Sequence, residues 1–186
     1  MAKEEWFRKK KWSEEDEKEF FTRLNRSKTI YNKSQYLRIQ ADCLVNEYPK
    51  TALELIEILL RKYPDKSQFH LAYSTQARCN KILGEKEKVV ASYHKSFEAR
   101  RNYPNFKSYS HFEFGVWVIN EQLIEYYDEI YNLIEEFDEQ QQIFSQPLFY
   151  KNGICAIINY QRGNISQAKY EASNAILIAK ETKKTS

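Results

Sequence analysis

Two short stretches constrain this chain more than anything else in it: LGEKEKV, residues 83–89, and GNISQA, residues 163–168. When Gly84 is aligned on Gly163, a small residue stands upstream of each, Ala77 and Ala156. Five residues downstream lie Val89 and Ala168, nine downstream Tyr93 and Ala172, twelve downstream Ser96 and Ala175. Steps of four and three follow one face of an α-helix. A glycine supplies the positive φ on which a helix commonly ends. The pattern therefore predicts pairs of helices joined by tight turns. Ala156 and Ala168 are expected to be small because the two helix axes must approach to roughly 8–10 Å. Asn164 suits the turn, and Ser166 is expected to cap the second helix.

The rest of the chain carries the same period. Only 4 Gly and 4 Pro punctuate 186 residues that hold 14 Tyr and 11 Phe, which suits long helices and short connections. Pro49, Pro64, Pro104 and Pro147 each fall at the edge of a helix-like run, where a missing N–H does least harm. In Thr51–Lys62 the recurring apolar residues are Ala52, Leu53, Ile56, Leu59 and Leu60. In Ser166–Lys180 they are Ala168, Ala172, Ala175, Ile176 and Ala179. A weaker copy fits Gly115, Tyr127, Tyr131 and Ile134. No stretch alternates as a strand would, so the predicted class is all-α. A chain of this length buries about 70% of its unfolded surface and needs no covalent staple.

This spacing resembles the tetratricopeptide repeat (TPR), a helix–turn–helix of about 34 residues with small residues where its helices touch. The resemblance runs over residues 33–182 as four hairpins: 33–66, 68–105, 107–140 and 146–182. The second and fourth match well. The first uses Glu47-Tyr48-Pro49 in place of a turn glycine, and the third is degenerate. Pro64 and Pro104 lie 40 residues apart, so the connections vary in length. The resemblance implies a right-handed stack of about four hairpins, with residues 1–32 as an aromatic and basic strap plus a capping helix, and 183–186 as a polar tail. WFRKKKW and QYLRIQA (35–41) also resemble the opening of a group of small bacterial TPR-like proteins, to which no activity attaches.

The two ends read differently. Ser13 is placed to cap a first helix, with Asp16 at the reciprocal position and acids filling the first turn. Phe20, Phe21 and Leu24 give that helix an apolar edge. Trp6, Phe7 and Trp12 precede it as a strap expected to cover the first repeat, the cap a solenoid requires; the alternative is a basic-aromatic patch that meets a partner. At the other end Ile176, Leu177 and Ile178 follow one another and sweep about 200° of a helix, more than one neighbour covers. That surplus invites a second copy of the chain or another partner.

Charge and chemistry narrow the function. The net charge is +3, too balanced to mark a nucleic-acid binder. Residues 108–150 contain nine acids and no Lys or Arg, leaving +12 on the remainder. Those acids spread around helix faces rather than gathering as ligands. The three histidines, His70, His94 and His111, show no metal spacing and are expected at a surface or interface. Cys43, Cys79 and Cys155 lie far apart and are expected as buried, reduced thiols. No phosphate loop or G-x-S-x-G occurs, and a Cys79–His111 nucleophile has no local support. No catalytic residue, cofactor or metal is assigned. The start lacks the apolar core of a signal peptide, and no apolar run reaches a membrane span, so the expected place is the cytoplasm. One basic-aromatic run, residues 93–109, interleaves Lys95, Arg100, Arg101 and Lys107 with Tyr93, Phe97, Tyr103, Phe106 and Tyr109. It could stack bases, but in the repeat Tyr93 and Phe97 face the core and the arginines close a helix.

In TPR arrays the first helix of each hairpin lines a concave groove. The resemblance places there Arg38, Asp42 and Asn46; Ser74, Arg78 and Lys81; Tyr109, Phe112, Glu113 and Val116; and Tyr150, Ile157 and Tyr160. One end is basic, the other aromatic and acidic, so a peptide would lie in one polarity. Asp42 departs from the carboxylate clamp of chaperone-binding TPR domains, and that ligand is not carried over. The expected function is a non-enzymatic scaffold or adaptor that binds a protein or peptide. Two alternatives stand beside it: a bacterial immunity-type protein that neutralises a toxin through the acid-rich third hairpin, and an RNA-binding helical repeat.

Overall fold

The computed structural model describes residues 5–105, 108–138 and 145–184. Among them are nine α-helices, a single 3-10 turn at Ile124–Tyr126 and no strand. The all-α class is as the periodicity predicts. Two compact units divide the chain, Met1–Ser108 and Tyr109–Ser186.

The first unit holds α1 (Glu14–Arg26), α2 (Ile30–Leu44), α3 (Pro49–Lys62), α4 (Lys66–Ile82) and α5 (Lys86–Asn102). The expected 32/33 boundary falls inside α2, which begins at Ile30 behind a Thr29 cap. Helix α1 starts on the predicted capping box: Asp16 N–H donates to Ser13 Oγ at 3.2 Å, and Ser13 N–H donates to Asp16 Oδ2 at 3.0 Å. Pro49 opens α3, where its missing N–H has no intrahelical partner to lose. Helix α2 packs on α3, α3 on α4, α4 on α5, and α2 also runs against α4. Leu37, Ala41, Ala52, Ile56, Leu59 and Ala72 are fully buried among them.

The strap closes this core. Trp6 packs on Phe20 and Tyr36 with ring centroids 5.4 and 4.9 Å away, Phe7 on Tyr36 at 4.6 Å, and Trp12 on Phe20 at 5.6 Å. Gln40, fully buried on α2, accepts from the Lys9 N–H at 3.1 Å and donates to the Lys9 carbonyl at 2.7 Å. The Lys9 ammonium donates to Asp16 Oδ1 at 2.7 Å and also to Glu19. That bond, followed by those from Ser13, holds the Asp16 carboxyl down at about 2.

The second unit holds α6 (Ser110–Asn120), α7 (Tyr127–Asp138), α8 (Ser145–Gln161) and α9 (Ile165–Lys184). Helix α6 packs on α7 and α8, and α8 on α9. Phe114, Val118, Ile130 and Ile158 are fully buried. Gly115 sits mid-helix on the side of α6 that faces Ile130 of α7 and Ile154 of α8. A Cβ there would lie 3.1 Å from Ile154 Cδ1 and 3.4 Å from Ile130 Cγ2.

Three connections share one hydrogen-bonded turn. Gly84, Gln122 and Gly163 have φ of +75°, +55° and +81°. The N–H after each donates five residues back: Glu85 to Asn80 O at 3.0 Å, Leu123 to Val118 O at 3.0 Å, Asn164 to Asn159 O at 2.8 Å. This is the Schellman closure of a helix C-terminus. Seven residues before the turns stand Ala77, Gly115 and Ala156, all buried. Five residues after them stand Val89, Tyr127 and Ala168, also buried. The degenerate copy therefore keeps the register and uses a glutamine where the others use glycine.

One expectation at this turn is corrected. Helix α9 begins at Ile165, so Ser166 lies inside its first turn. Asn164 takes the capping position, and its carbonyl accepts the Ala168 N–H at 3.0 Å. The turn hydrogen bond at Gly163 brings the helix start forward by two residues. Phe106, Lys107, Glu139 and the last residues of the polar tail, 185 and 186, lie outside the described residues.

Candidate functional site

In the first unit the predicted groove residues of α2 and α4 form one polar cluster. Asp42 Oδ1 accepts from the Arg78 guanidinium and from Thr75 Oγ1 at 3.3 Å. Arg78 Nη2 donates in turn to Thr75 Oγ1 at 3.2 Å. One turn earlier on α2, Arg38 Nε donates to Gln68 Oε1 at 2.8 Å. Burial lowers the Arg38 pKa, with Asp42 opposing that shift. Asp42 is thus committed to Arg78 rather than left to repel an incoming acid. Lys81 and Asn46 are exposed beside this cluster, but Ser74, expected on the face, is 6% exposed and belongs to the interior.

In the second unit the corresponding face is aromatic. Tyr109 and Val116 of the α6 segment are 43% and 38% exposed, and Tyr150, Ile157 and Tyr160 of α8 are 38%, 45% and 67% exposed. Glu113 of α6 is also exposed. Phe112, expected as a contact residue, is 2% exposed, which corrects that reading. Its ring is stacked against Tyr109 at 6.3 Å and Tyr150 at 5.9 Å, with His111 at 4.0 Å. Phe112 is the spacer that holds two exposed tyrosines in line. Phe149, not singled out in the sequence, is 41% exposed and meets Tyr150 edge-on at 5.8 Å.

The groups considered for chemistry fall into the interior. His70 and His111 are 1% and 0% exposed, not at the surface as expected; only His94 is exposed. A ring can be half apolar and still fill a core, which periodicity alone does not reveal. Burial, followed by the Arg38 and Arg100 charges, pushes the His70 imidazole down to about 4. The three cysteines are free; Cys79 and Cys155 are buried as expected, while Cys43 is only half-buried, and burial pushes the Cys79 thiol up to about 12, so it supplies no thiolate at neutral pH. Among the described residues no group of three or more His, Cys, Asp or Glu could hold a metal ion. In the run 93–109, Tyr93 and Phe97 are buried as the repeat reading expects. Arg100 is also buried, and its Nη1 donates to the Ser108 carbonyl at 2.9 Å.

On α9, Ile176 and Leu177 are 54% and 56% exposed, while Ile178 is half-buried. Among the described residues no helix is long and apolar enough to cross a membrane. No protein-family model, curated protein or solved structure matches the chain.

Proposed function

We propose that the chain is a TPR-like, non-enzymatic scaffold that binds a protein or peptide through the first helices of its hairpins. The observation that carries this reading is the second-unit face, where Tyr109, Tyr150, Ile157 and Tyr160 are exposed on or beside two helices that pack together. Tyrosine offers a large contact area at low entropic cost, and such residues dominate binding energy at interfaces. The thrice-repeated turn supports a stack of like hairpins. The polar cluster of Arg38, Asp42 and Arg78 gives the first unit a different chemistry, suited to charged and hydrogen-bonding partner groups.

Affinity capture with the tagged full chain tests it, beside Tyr150→Ala/Tyr160→Ala and Arg78→Glu/Lys81→Glu variants of matched helicity. A protein held by the parent and released by either variant supports the reading. An identical captured set from all three removes these faces from consideration.

A second reading, an immunity-type protein that neutralises a toxin, rests on the acid-rich segment, where Glu121, Glu125, Asp128, Glu135 and Glu136 are exposed. It predicts a basic partner and binding that weakens steeply with salt. RNA binding through 93–109 is less favoured, because Tyr93, Phe97 and Arg100 are buried. Self-association through Ile176 and Leu177 is a further proposal, tested by sedimentation of Leu177→Glu against the parent chain.

A further inference from the structure

The first unit contains a second concave feature, on a different side of α4 from Arg78. A cleft of about 550 Å³ opens between the first half of α4 and the second half of α5. That volume lies within the range of small-molecule sites, which are aromatic-lined with a few placed polar groups. Phe69 and Tyr73, one turn apart on α4, form one wall as an edge-to-face pair with centroids 5.9 Å apart. Tyr103 adds a third ring. The Lys95 ammonium lies 5.9 Å from the Tyr73 ring centroid, and Lys66 lines the same cleft. Glu98, one turn beyond Lys95, and Asn102 supply acceptors. The charged lining is therefore two cations against one anion.

We propose that this cleft binds a small planar aromatic carboxylate that also carries a ring N–H or O–H donor, about the size of an indole acid. Because Phe69 and Tyr73 meet edge-to-face, one ring stacks on the aromatic plane of the ligand while the other meets its edge. The lysines take its carboxylate by charge-assisted hydrogen bonds. Glu98 or Asn102 accepts from its ring donor, a role that a purely cationic rim would not fill. Cationic ligands meet the net positive lining and are disfavoured. The site does not depend on the protein-binding reading, since Lys66, Phe69 and Tyr73 take no part in the Asp42–Arg78 cluster.

The test is an amide-resolved NMR titration of the full chain with indole-3-acetate as the probe. The comparators are indole, naphthalene-1-acetate and tryptamine. Saturable shifts are expected in residues 66–73 and 95–103, with a dissociation constant on the order of 1 mM or tighter. Indole and tryptamine should bind at least about tenfold more weakly, the scale of one lost charge-assisted bond. Naphthalene-1-acetate, which lacks the donor, should also bind more weakly than the indole acid. Tyr73→Ala should abolish the shifts. Lys95→Glu, at an exposed position, should weaken indole-3-acetate about tenfold, while Lys18→Glu, exposed on α1 and outside the cleft lining, should not. Tryptamine binding as well as the acid would overturn the proposal, because the lysines would then play no part. So would indole-3-acetate shifts that fall elsewhere or do not arise, or an unaltered affinity in Lys95→Glu.

Discussion

The side-chain amide of Gln40 and the backbone of Lys9 exchange two hydrogen bonds, at 3.1 and 2.7 Å, across 31 residues of sequence. One buried amide thus ties an otherwise irregular strap to α2 and sets Trp6 and Trp12 over Phe20. Gln40→Ala should cost about 1–3 kcal/mol, since it strands both backbone groups of Lys9. Urea unfolding reads the loss. The emission of Trp6 and Trp12 should shift to the red above the constant signal of buried Trp117. An unchanged midpoint and spectrum would show that aromatic packing alone holds the strap.

Gln122 occupies the backbone position that glycine takes in the other two turns, at φ +55°. A side chain in this region costs roughly 1–2 kcal/mol. Gln122→Gly should therefore raise the thermal midpoint, by about 1 kcal/mol in stability. The reverse changes, Gly84→Ala and Gly163→Ala, should lower it, although neither Cβ would meet any atom within 4 Å. A destabilised Gln122→Gly would mean that the glutamine side chain contributes something the backbone angle does not reveal.

Gly115 tests the packing rather than the turn. A β-branched side chain there would press on Ile154 and Ile130. Gly115→Val should destabilise by about 1–3 kcal/mol through overpacking. Gly115→Ala should stay within about 1 kcal/mol of the parent, because gained helix propensity offsets the crowding. Calorimetric melting of the two variants separates these outcomes.

His70 makes stability depend on pH. Its folded-state pKa is lowered from 6.5 to about 4, by burial first and then by Arg38 and Arg100. A depressed imidazole favours the neutral ring in the fold. The contribution is fully present above pH 6.5 and is lost as pH falls toward 4, on the order of 3 kcal/mol in total. Urea midpoints between pH 7 and 5 should therefore fall with pH in the parent chain. His70→Gln should flatten that slope even if it lowers stability throughout. An equal slope in the variant would assign the acid sensitivity to other groups.

Much of the helical skeleton was legible because helix periodicity is local. The hairpin limits 68–105 and 146–182 fall close to α4–α5 and α8–α9, and Ala77, Ala156 and Ala168 are buried as small contact residues should be. The turn at Gln122 was not legible, because its signal is a backbone angle carried by a residue that does not advertise it. Of the site residues, the resemblance places Arg38, Asp42 and Arg78 along one groove, but the pairing of Asp42 with Arg78 depends on α2 lying against α4, which no local pattern encodes. Phe112 was misplaced for the same reason: the ring that covers it, Tyr150, comes from a helix 38 residues later. His70 and His111 show the limit of polarity as a guide, since each fills interior volume.

The pairing of α2 with α3, α4 with α5, and α8 with α9 joins helices that are neighbours along the chain. Short loops close before long ones, and their entropy is recovered at once by the contact they permit. Folding rates track this economy of separation, so each hairpin can condense without waiting for distant segments. The chain can begin to acquire structure while its later residues are still being synthesised.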